Sequence, residues 1–375
     1  MRILYVCDAL AIHGGLERVL TEKANWLATH GNSDVHILTA NQGNHPVCFP
    51  LHPKVQFVDL GISFHRLYQQ PIWKRLVCNS HLHRRFRERL KDEIDKITPD
   101  IMICTRIDYL RDIVKVKERL PLVFESHSTC LASRFDGDGL LRRLHVRYLQ
   151  QAVKKVQTVV ALTEGDAAEW RQLTPHVSVI PNVVHLNDSG IYSDSTAKSV
   201  IFVGRFSKQK DVGSLLRIWT QVHHHHPDWQ LQIYGGYGDE YEKWNAALRQ
   251  TDLNIVVHAS TSEIMEKYRE NSILLMTSQY EPFGLVLPEA MSCGLPVVAF
   301  DCPYGPRSII TDGVDGYLIG NRNVGEFAEK VCKLIDNPDL RVKMGKAGVV
   351  TSKRFDMSHV MPHWKQFFSQ MEKQK

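Results

Sequence analysis

Short apolar runs alternate with longer stretches of helical apolar spacing along almost the whole chain. This alternation limits the fold more than any other feature. An unbroken apolar run suits a strand covered on both faces, and a helix between two such strands lets them pair in parallel. The runs fall at 3–7, 35–39, 101–104, 122–125, 158–162 and 177–180, then at 200–203, 231–234, 255–257, 273–276, 296–300 and 316–319. Between the two sets, residues 185–198 hold Asn, Asp, Gly and Ser without an apolar period and read as a linker. At 375 residues the chain is long enough for two separate cores. The expectation is an α/β protein of two doubly wound, Rossmann-like domains, at 1–184 and 185–355. A C-terminal helix follows at 356–375, with Val360, Trp364, Phe367, Phe368 and Met371 at helical spacing.

Composition excludes several classes. Hydrophobic content of 43% and charge of 23% are ordinary for a soluble globular protein. No apolar run is long enough to span a membrane. The opening Met1-Arg2-Ile3-Leu4-Tyr5-Val6-Cys7-Asp8 reads as a strand rather than a secretion signal. Eight cysteines are scattered without a Cys-x-x-Cys pair, and Cys7 and Cys104 sit in apolar runs as small hydrophobes, so a reducing cytoplasmic location is expected. Charge is uneven. Residues 74–91 hold seven basic side chains (Lys74, Arg75, Arg84, Arg85, Arg87, Arg89 and Lys91) and one acid, Glu88. Ile72, Leu76, Leu82, Phe86, Leu90 and Ile94 fall mostly four apart, which makes one helical stripe. That stripe suits the core of any α/β domain, while Arg84, Arg85, Arg87 and Arg89 lie beside and opposite it. They are either solvated or turned to an anionic surface, such as a membrane that presents an acceptor. The run His223-His224-His225-His226 ends a helical pattern before Pro227. Its side chains point around the helix, so it reads as a surface helix end and not a metal tract.

The segment Glu281-Pro282-Phe283-Gly284-Leu285-Val286-Leu287-Pro288-Glu289 carries the most chemistry. It follows the apolar run 273–276 and opens a short helix, with Pro288 suited to the first helical position and Gly294 to the stop. A helix start offers unpaired N–H groups and a positive dipole end to a phosphate. Carboxylates accept hydrogen bonds from sugar hydroxyls. One turn thus serves both the diphosphate and the sugars of a nucleotide sugar. Val203-Gly204-Arg205-Phe206-Ser207-Lys208-Gln209-Lys210 places Arg205 and Lys210 where both can meet a diphosphate, a planar fork and a point charge. Gly14 and Gly15 follow the first strand, and Gly235 and Gly236 follow the run 231–234, so backbone can approach a ligand at each. His127 ends the run 122–125, and His145 is the weaker alternative. Asp136-Gly137-Asp138 has the Asp-x-Asp form of a metal site but lies in a Gly-rich loop rather than after a strand, so a metal is not expected there.

Residues 278–301, from Ser278 through Glu281, Glu289 and on to Asp301, resemble the signature segment of glycosyltransferase family 4, retaining enzymes of the GT-B fold. The glycine loops, Arg205, Lys210 and His127 extend the resemblance to most of the chain. It implies two Rossmann-like domains facing a cleft, and a terminal helix that returns to the N-terminal domain. It implies a nucleotide diphosphate sugar as donor, with UDP the expected nucleotide, and no metal cofactor. Glu281, His127, Arg205 and Lys210 take the catalytic roles. Gly14, Gly15, Gly235, Phe283, Gly284, Leu285, Val286 and Glu289 join Glu281 in binding the donor. Glu289 holds the ribose and Glu281 the donor sugar. The acceptor is expected to be a glycan or lipid-linked glycan of the cell envelope, and nucleic acid is not an expected partner. Ser308 stands where many relatives carry an acid. Two other classes are separable by experiment. An epimerase or glycosidase on this scaffold needs a defined carboxylate separation and leaves Arg205 and Lys210 without purpose. A non-catalytic basic protein predicts surface binding by residues 74–91 without nucleotide-sugar affinity.

Overall fold

The computed structural model describes residues 1–64, 72–130, 140–235 and 237–373, without the side chains of 72–77, 140–143 and 145. It divides into two compact units. The first comprises Met1–Ile180 with His363–Lys375, and the second Pro181–Pro362. The sequence places this division after residue 184, and residues 181–198 carry no helix or strand.

The first unit is a parallel sheet of seven strands: β1 (Arg2–Cys7), β2 (Asp34–Thr39), β3 (Val55–Asp59), β4 (Ile101–Cys104), β5 (Leu122–Glu125), β6 (Thr158–Ala161) and β7 (Val177–Val179). Their order is β3-β2-β1-β4-β5-β6-β7. The order reverses between β1 and β4, and the crevice outside the carboxyl ends of strands at such a point is where open α/β sheets bind ligands. Connections run through α1 (Gly15–Thr29), α2 (Ile72–Ile97), α3 (Ile107–Val116), α4 (Leu140–Val153) and α5 (Glu164–Trp170). Phe86, Leu90, Ile94 and Ile97 of α2 are buried in the core with Met102, Phe124 and Trp170, so the stripe from Leu82 onward serves packing.

The sequence reading misses β3. It is an edge strand, and its side chains alternate between partly buried and exposed, with Val58 40% exposed. An edge strand covered on one face lacks the continuous apolar run that marks its neighbours. The only signal is the short alternation Val55-Gln56-Phe57 after the turn at Pro53.

The second unit is a six-stranded parallel sheet in the order β10-β9-β8-β11-β12-β13. The strands are β8 (Ser199–Gly204), β9 (Gln230–Gly235), β10 (Ile255–Ala259), β11 (Ile273–Met276), β12 (Val297–Phe300) and β13 (Gly316–Ile319). Its order reverses between β8 and β11. The helices are α6 (Val212–His225), α7 (Tyr241–Arg249), α8 (Ile264–Arg269), α9 (Val286–Ser292), α10 (Gly305–Ile309), α11 (Val324–Asp336) and α12 (Pro338–Ser352). Asp211 caps α6 by accepting from Ser214 N at 3.0 Å, and Asn323 caps α11 from Glu326 N at 3.2 Å, each satisfying a donor that a helix start leaves open. Phe202, Trp219, Leu275, Phe300 and Phe327 centre its core.

The last helix, α13, spans Met357–Lys373, and its part from His363 clusters with the first unit. There Trp364, Phe367, Phe368 and Met371 are buried, and Trp364 stacks on Lys23 of α1 with the ammonium 4.2 Å from the ring centre. No described helix is long and apolar enough to cross a membrane.

Candidate active site

The carboxyl ends of β8, β9 and β11 bring the second unit's motifs together. Glu281 follows β11 and is 5% exposed. Its main chain is tied on both sides to the loop after β12. Its N–H donates to Pro303 O at 2.7 Å, and its carbonyl accepts from Tyr304 N and Gly305 N at 2.8 and 2.9 Å. Its carboxylate Oε1 accepts from Lys210 Nζ at 2.5 Å and from Ser278 Oγ at 2.7 Å. Residues 71 apart in sequence therefore meet as one charge pair at the sheet's switch point. Arg205 is exposed just beyond β8, and no carboxylate among the described residues pairs with it. An exposed guanidinium and an ammonium paired with Glu281 thus both follow β8.

Gly235 closes β9 with φ +127, and a Cβ there would lie 2.5 Å from Gly204 O. Only glycine lets the ends of β8 and β9 run so close. Gly284 has φ +93, which turns the chain from Glu281 toward α9. Phe283 is buried and meets Phe355 edge-on, with ring centres 5.2 Å apart, so its ring anchors the turn while its main chain remains at the helix start. Helix α9 begins at Val286 with Leu285 as cap, two residues before the start expected at Pro288. The unpaired N–H groups are accordingly those of the 283–286 turn. Gly294, at φ +86, follows the helix end. Glu289 is on the first turn of α9, is 8% exposed, and accepts from Tyr268 Oη at 3.1 Å. Tyr268 is fully buried in α8, and only the tertiary structure pairs it with Glu289. Ser308 bonds Gly305 O through its hydroxyl at 2.6 Å and so braces the loop that holds Glu281.

In the first unit, Gly14 caps α1 in extended backbone, φ −105 and ψ 164, and Gly15 is an exposed first residue of the helix. Gly14 does not need glycine for its φ; a Cβ there would run into the Glu17 carboxylate, so its small size makes room for that side chain at the helix start. Glu125 ends β5 completely buried. Its Oε1 accepts from Lys23 of α1, also completely buried, and His127 Nε2 lies 3.1 Å from the same oxygen. Burial pushes the Glu125 carboxyl up, but Lys23 and His127 outweigh it and hold it at about 2. Lys23 is lowered by burial, which the single carboxylate opposes without cancelling. His127 is thus seated by a buried ion pair whose two members lie 102 residues apart, and nothing in the sequence motif marks Lys23. Asp8, at the end of β1, gathers Asn41 Nδ2 at 2.5 Å and Tyr109 Oη.

Arg84, Arg85, Arg87 and Arg89 of α2 do not form one outward surface. Arg87 Nη1 pairs with Asp112 Oδ1 at 2.6 Å, and that carboxylate is 4% exposed. Arg89 Nη1 donates to Leu60 O. Both are fold contacts, because the helix turns positions 87 and 89 toward α3 and the end of β3. Arg84 is exposed beside Glu88 at 3.7 Å, and Arg85 is half-buried. Asp136, Asp138 and Gly236 lie outside the described residues, as do the side chains of Ile72, Lys74, Arg75, Leu76 and His145. Among the described residues no group of three His, Cys, Asp or Glu has metal-ligand geometry, and the four histidines end α6.

Comparison with known proteins covers nearly the whole chain. Residues 13–188 match the model described as Glycosyltransferase Family 4, and residues 188–350 match Glycosyl transferases group 1. The chain is 27% identical over 373 residues to the amylovoran biosynthesis glycosyltransferase AmsD of Erwinia amylovora, covering 97% of this chain and 98% of that one. It superposes on the sucrose-phosphate synthase of Thermosynechococcus elongatus with a TM-score of 0.83 at 18% identity, over 100% of both chains. A mutant of TarM from Staphylococcus aureus, in complex with fondaparinux, alpha-GlcNAc-glycerol and UDP, superposes with a TM-score of 0.79 at 16% identity, over 98% of this chain and 99% of that one.

Proposed function

We propose that this chain, which belongs to glycosyltransferase family 4 and has the GT-B fold, moves a hexose or N-acetylhexosamine from a UDP-sugar to a glycan or lipid-linked acceptor in cell-envelope polysaccharide synthesis. The observation that carries the donor site is the contact of Lys210 with Glu281 at 2.5 Å, beside an unpaired Arg205 and the helix start at 283–286. When a diphosphate enters, Lys210 and Arg205 meet its charge, and the Glu281 carboxylate is left to accept from the sugar's hydroxyls. Glu289, fixed by Tyr268, accepts from the ribose. As the bond from the anomeric carbon to the leaving phosphate oxygen breaks, charge grows on the diphosphate. Arg205, Lys210 and the backbone donors are already aimed at it. The acceptor hydroxyl oxygen bonds to the anomeric carbon on the face the nucleotide leaves, and its proton passes to the leaving phosphate. Configuration is retained. His127, Gly14 and Gly15 are the first unit's candidates for the catalytic and donor-binding roles. The fixed cations Arg205 and Lys210 take the place of a divalent metal.

The substrate class is supported by the names of similar proteins, an amylovoran biosynthesis enzyme and a UDP-bound TarM. Exposed Arg84 and half-buried Arg85 remain the surface proposed to meet an anionic membrane, where the acceptor is presented from the cytoplasmic side.

The test is a melting screen over UDP, GDP and ADP, followed by UDP release from UDP-glucose, UDP-galactose and UDP-N-acetylglucosamine with and without excess EDTA. At a hundredfold excess over Kd, UDP stabilises its site by about 2.7 kcal/mol. The expected result is a shift with UDP, turnover of one of the three sugars unaffected by EDTA, and an α-linked product. Activity that is lost in EDTA and restored by manganese refutes the metal-free reading. An inverted product refutes retention.

A further inference from the structure

Arg322 belongs to none of the sequence motifs, yet it touches both the segment next to Lys210 and the segment that leads to Glu281. It lies just past β13. Its Nη1 donates to Ser278 O at 2.8 Å, and its Nη2 donates to Thr277 O at 2.9 Å and to Asp211 Oδ2 at 2.6 Å. The guanidinium carbon stands 4.3 Å over the Phe300 ring. Thr277 continues the link, with Oγ1 donating to Lys210 O at 2.9 Å. Ser278 continues it on the other side, with Oγ donating to Glu281 Oε1 at 2.7 Å. The chain of contacts therefore runs from Lys210 through Thr277 and Arg322 to Ser278 and Glu281. The Lys210–Glu281 pair closes it.

Two members of this network, Asp211 at φ 48 and Arg322 at φ 50, adopt left-handed backbone without being glycine, as does Asn321 next to Arg322 at φ 50. Such conformations persist where the surroundings over-determine them, and they cluster where geometry serves function. The side chain is also the right chemical type. Three acceptors and an aromatic ring around one side chain match a rigid five-donor fork. They do not match the compact ammonium of a lysine.

We infer that Arg322 is a positioning residue for the proposed transfer: it holds the segment that carries Lys210 and the segment that carries Glu281 in one fixed relation. The inference rests on the donor-site reading above. Without the clamp, two backbone carbonyls lose a donor, Asp211 loses its ion-pair partner and keeps only Ser214, and the loops after β8 and β11 move independently. The charged pair then samples arrangements in which the diphosphate and the sugar are not met together.

The test uses the full chain with Arg322→Met and Arg322→Lys. Amide exchange is followed by mass spectrometry over 207–212 and 277–283, since exchange reports local opening. UDP release from UDP-glucose, UDP-galactose and UDP-N-acetylglucosamine is measured in parallel. Both variants are expected to exchange faster in both segments and to keep their overall melt. They should lose kcat on the order of a hundredfold, as a misplacement of about 1 Å does, with a smaller change in donor KM. Lysine should not rescue, and in a Lys210→Met background the second change should add little. Wild-type exchange in either segment of the Met variant, or losses that simply multiply in the double variant, overturns the inference. Should the Met variant not fold, the Lys variant carries the same readouts. A wild type that neither binds UDP nor releases it from these sugars refutes the functional reading instead, while the exchange rates still decide the clamp.

Discussion

The buried pair under His127 makes a prediction whose sign depends on how many partners are removed. In Glu125→Gln, Lys23 is left in a site only 1% exposed and without the carboxylate it pairs with. Breaking a buried pair from one side is expected to destabilise by about 3–5 kcal/mol, because an uncompensated charge stays behind. Loss of the Lys23 proton sets the ceiling, since burial already lowers this lysine. Stacking on Trp364 at 4.2 Å keeps part of the charge in place. For a unit of this size the loss corresponds to roughly 6–20 °C in Tm. Lys23→Met alone should cost a similar amount, because Glu125 then keeps only His127. The double variant Lys23→Met/Glu125→Gln removes both charges at similar volume and should be more stable than either single variant. Calorimetric melts at pH 7 give all four corners of the cycle. The pH dependence follows from the same geometry. The folded pKa of Glu125, about 2, lies below its unfolded value, so its contribution is present at neutral pH. It is lost as pH falls from about 4 toward 2, and the acid limb should flatten in Glu125→Gln. If the single losses add in the double variant, or if Glu125→Gln melts like wild type, the pair does not hold α1 to β5 as reasoned.

Further outcomes are expected at the donor site and on α2. Glu289→Gln should mainly raise donor KM, because a ribose contact is made alike in ground and transition states, whereas Glu281→Gln and Lys210→Met should mainly lower kcat. The hydrogen bonds Arg205→Ala removes from a charged diphosphate are worth about 1.5–3 kcal/mol, or roughly one to two decades of kcat/KM. Full activity in both glutamate variants would refute the site assignment. Arg84→Gln/Arg85→Gln should reduce sedimentation with anionic vesicles at low salt without altering the melt. Arg87→Gln should instead lower the melting temperature, because it unpairs Asp112. A wild type that ignores anionic vesicles refutes the membrane contact.

Local pattern made much of this protein legible. Apolar-rich runs announced every strand except β3, and those of β4, β5, β11 and β12 are buried throughout, as strands covered on both faces need no polar alternation. The Glu281 to Glu289 turn was visible as a carboxylate, a glycine turn and a helix start in one stretch of chain, all determined by neighbours in sequence. What the tertiary structure alone decided is which distant groups share a site. Lys23 reads as an ordinary helical lysine until the fold places it against Glu125 and Trp364. Arg322 and Tyr268 carry no motif, and their partners lie on other loops and helices. On α2 the spacing gave a stripe, but whether a given arginine meets solvent, Asp112 or Leu60 O depends on what packs beside the helix. Periodicity reports the face a residue shares with its near neighbours in the chain. Electrostatic and hydrogen-bond pairing is set by distances across the sheet, which exist only once the strand order is established.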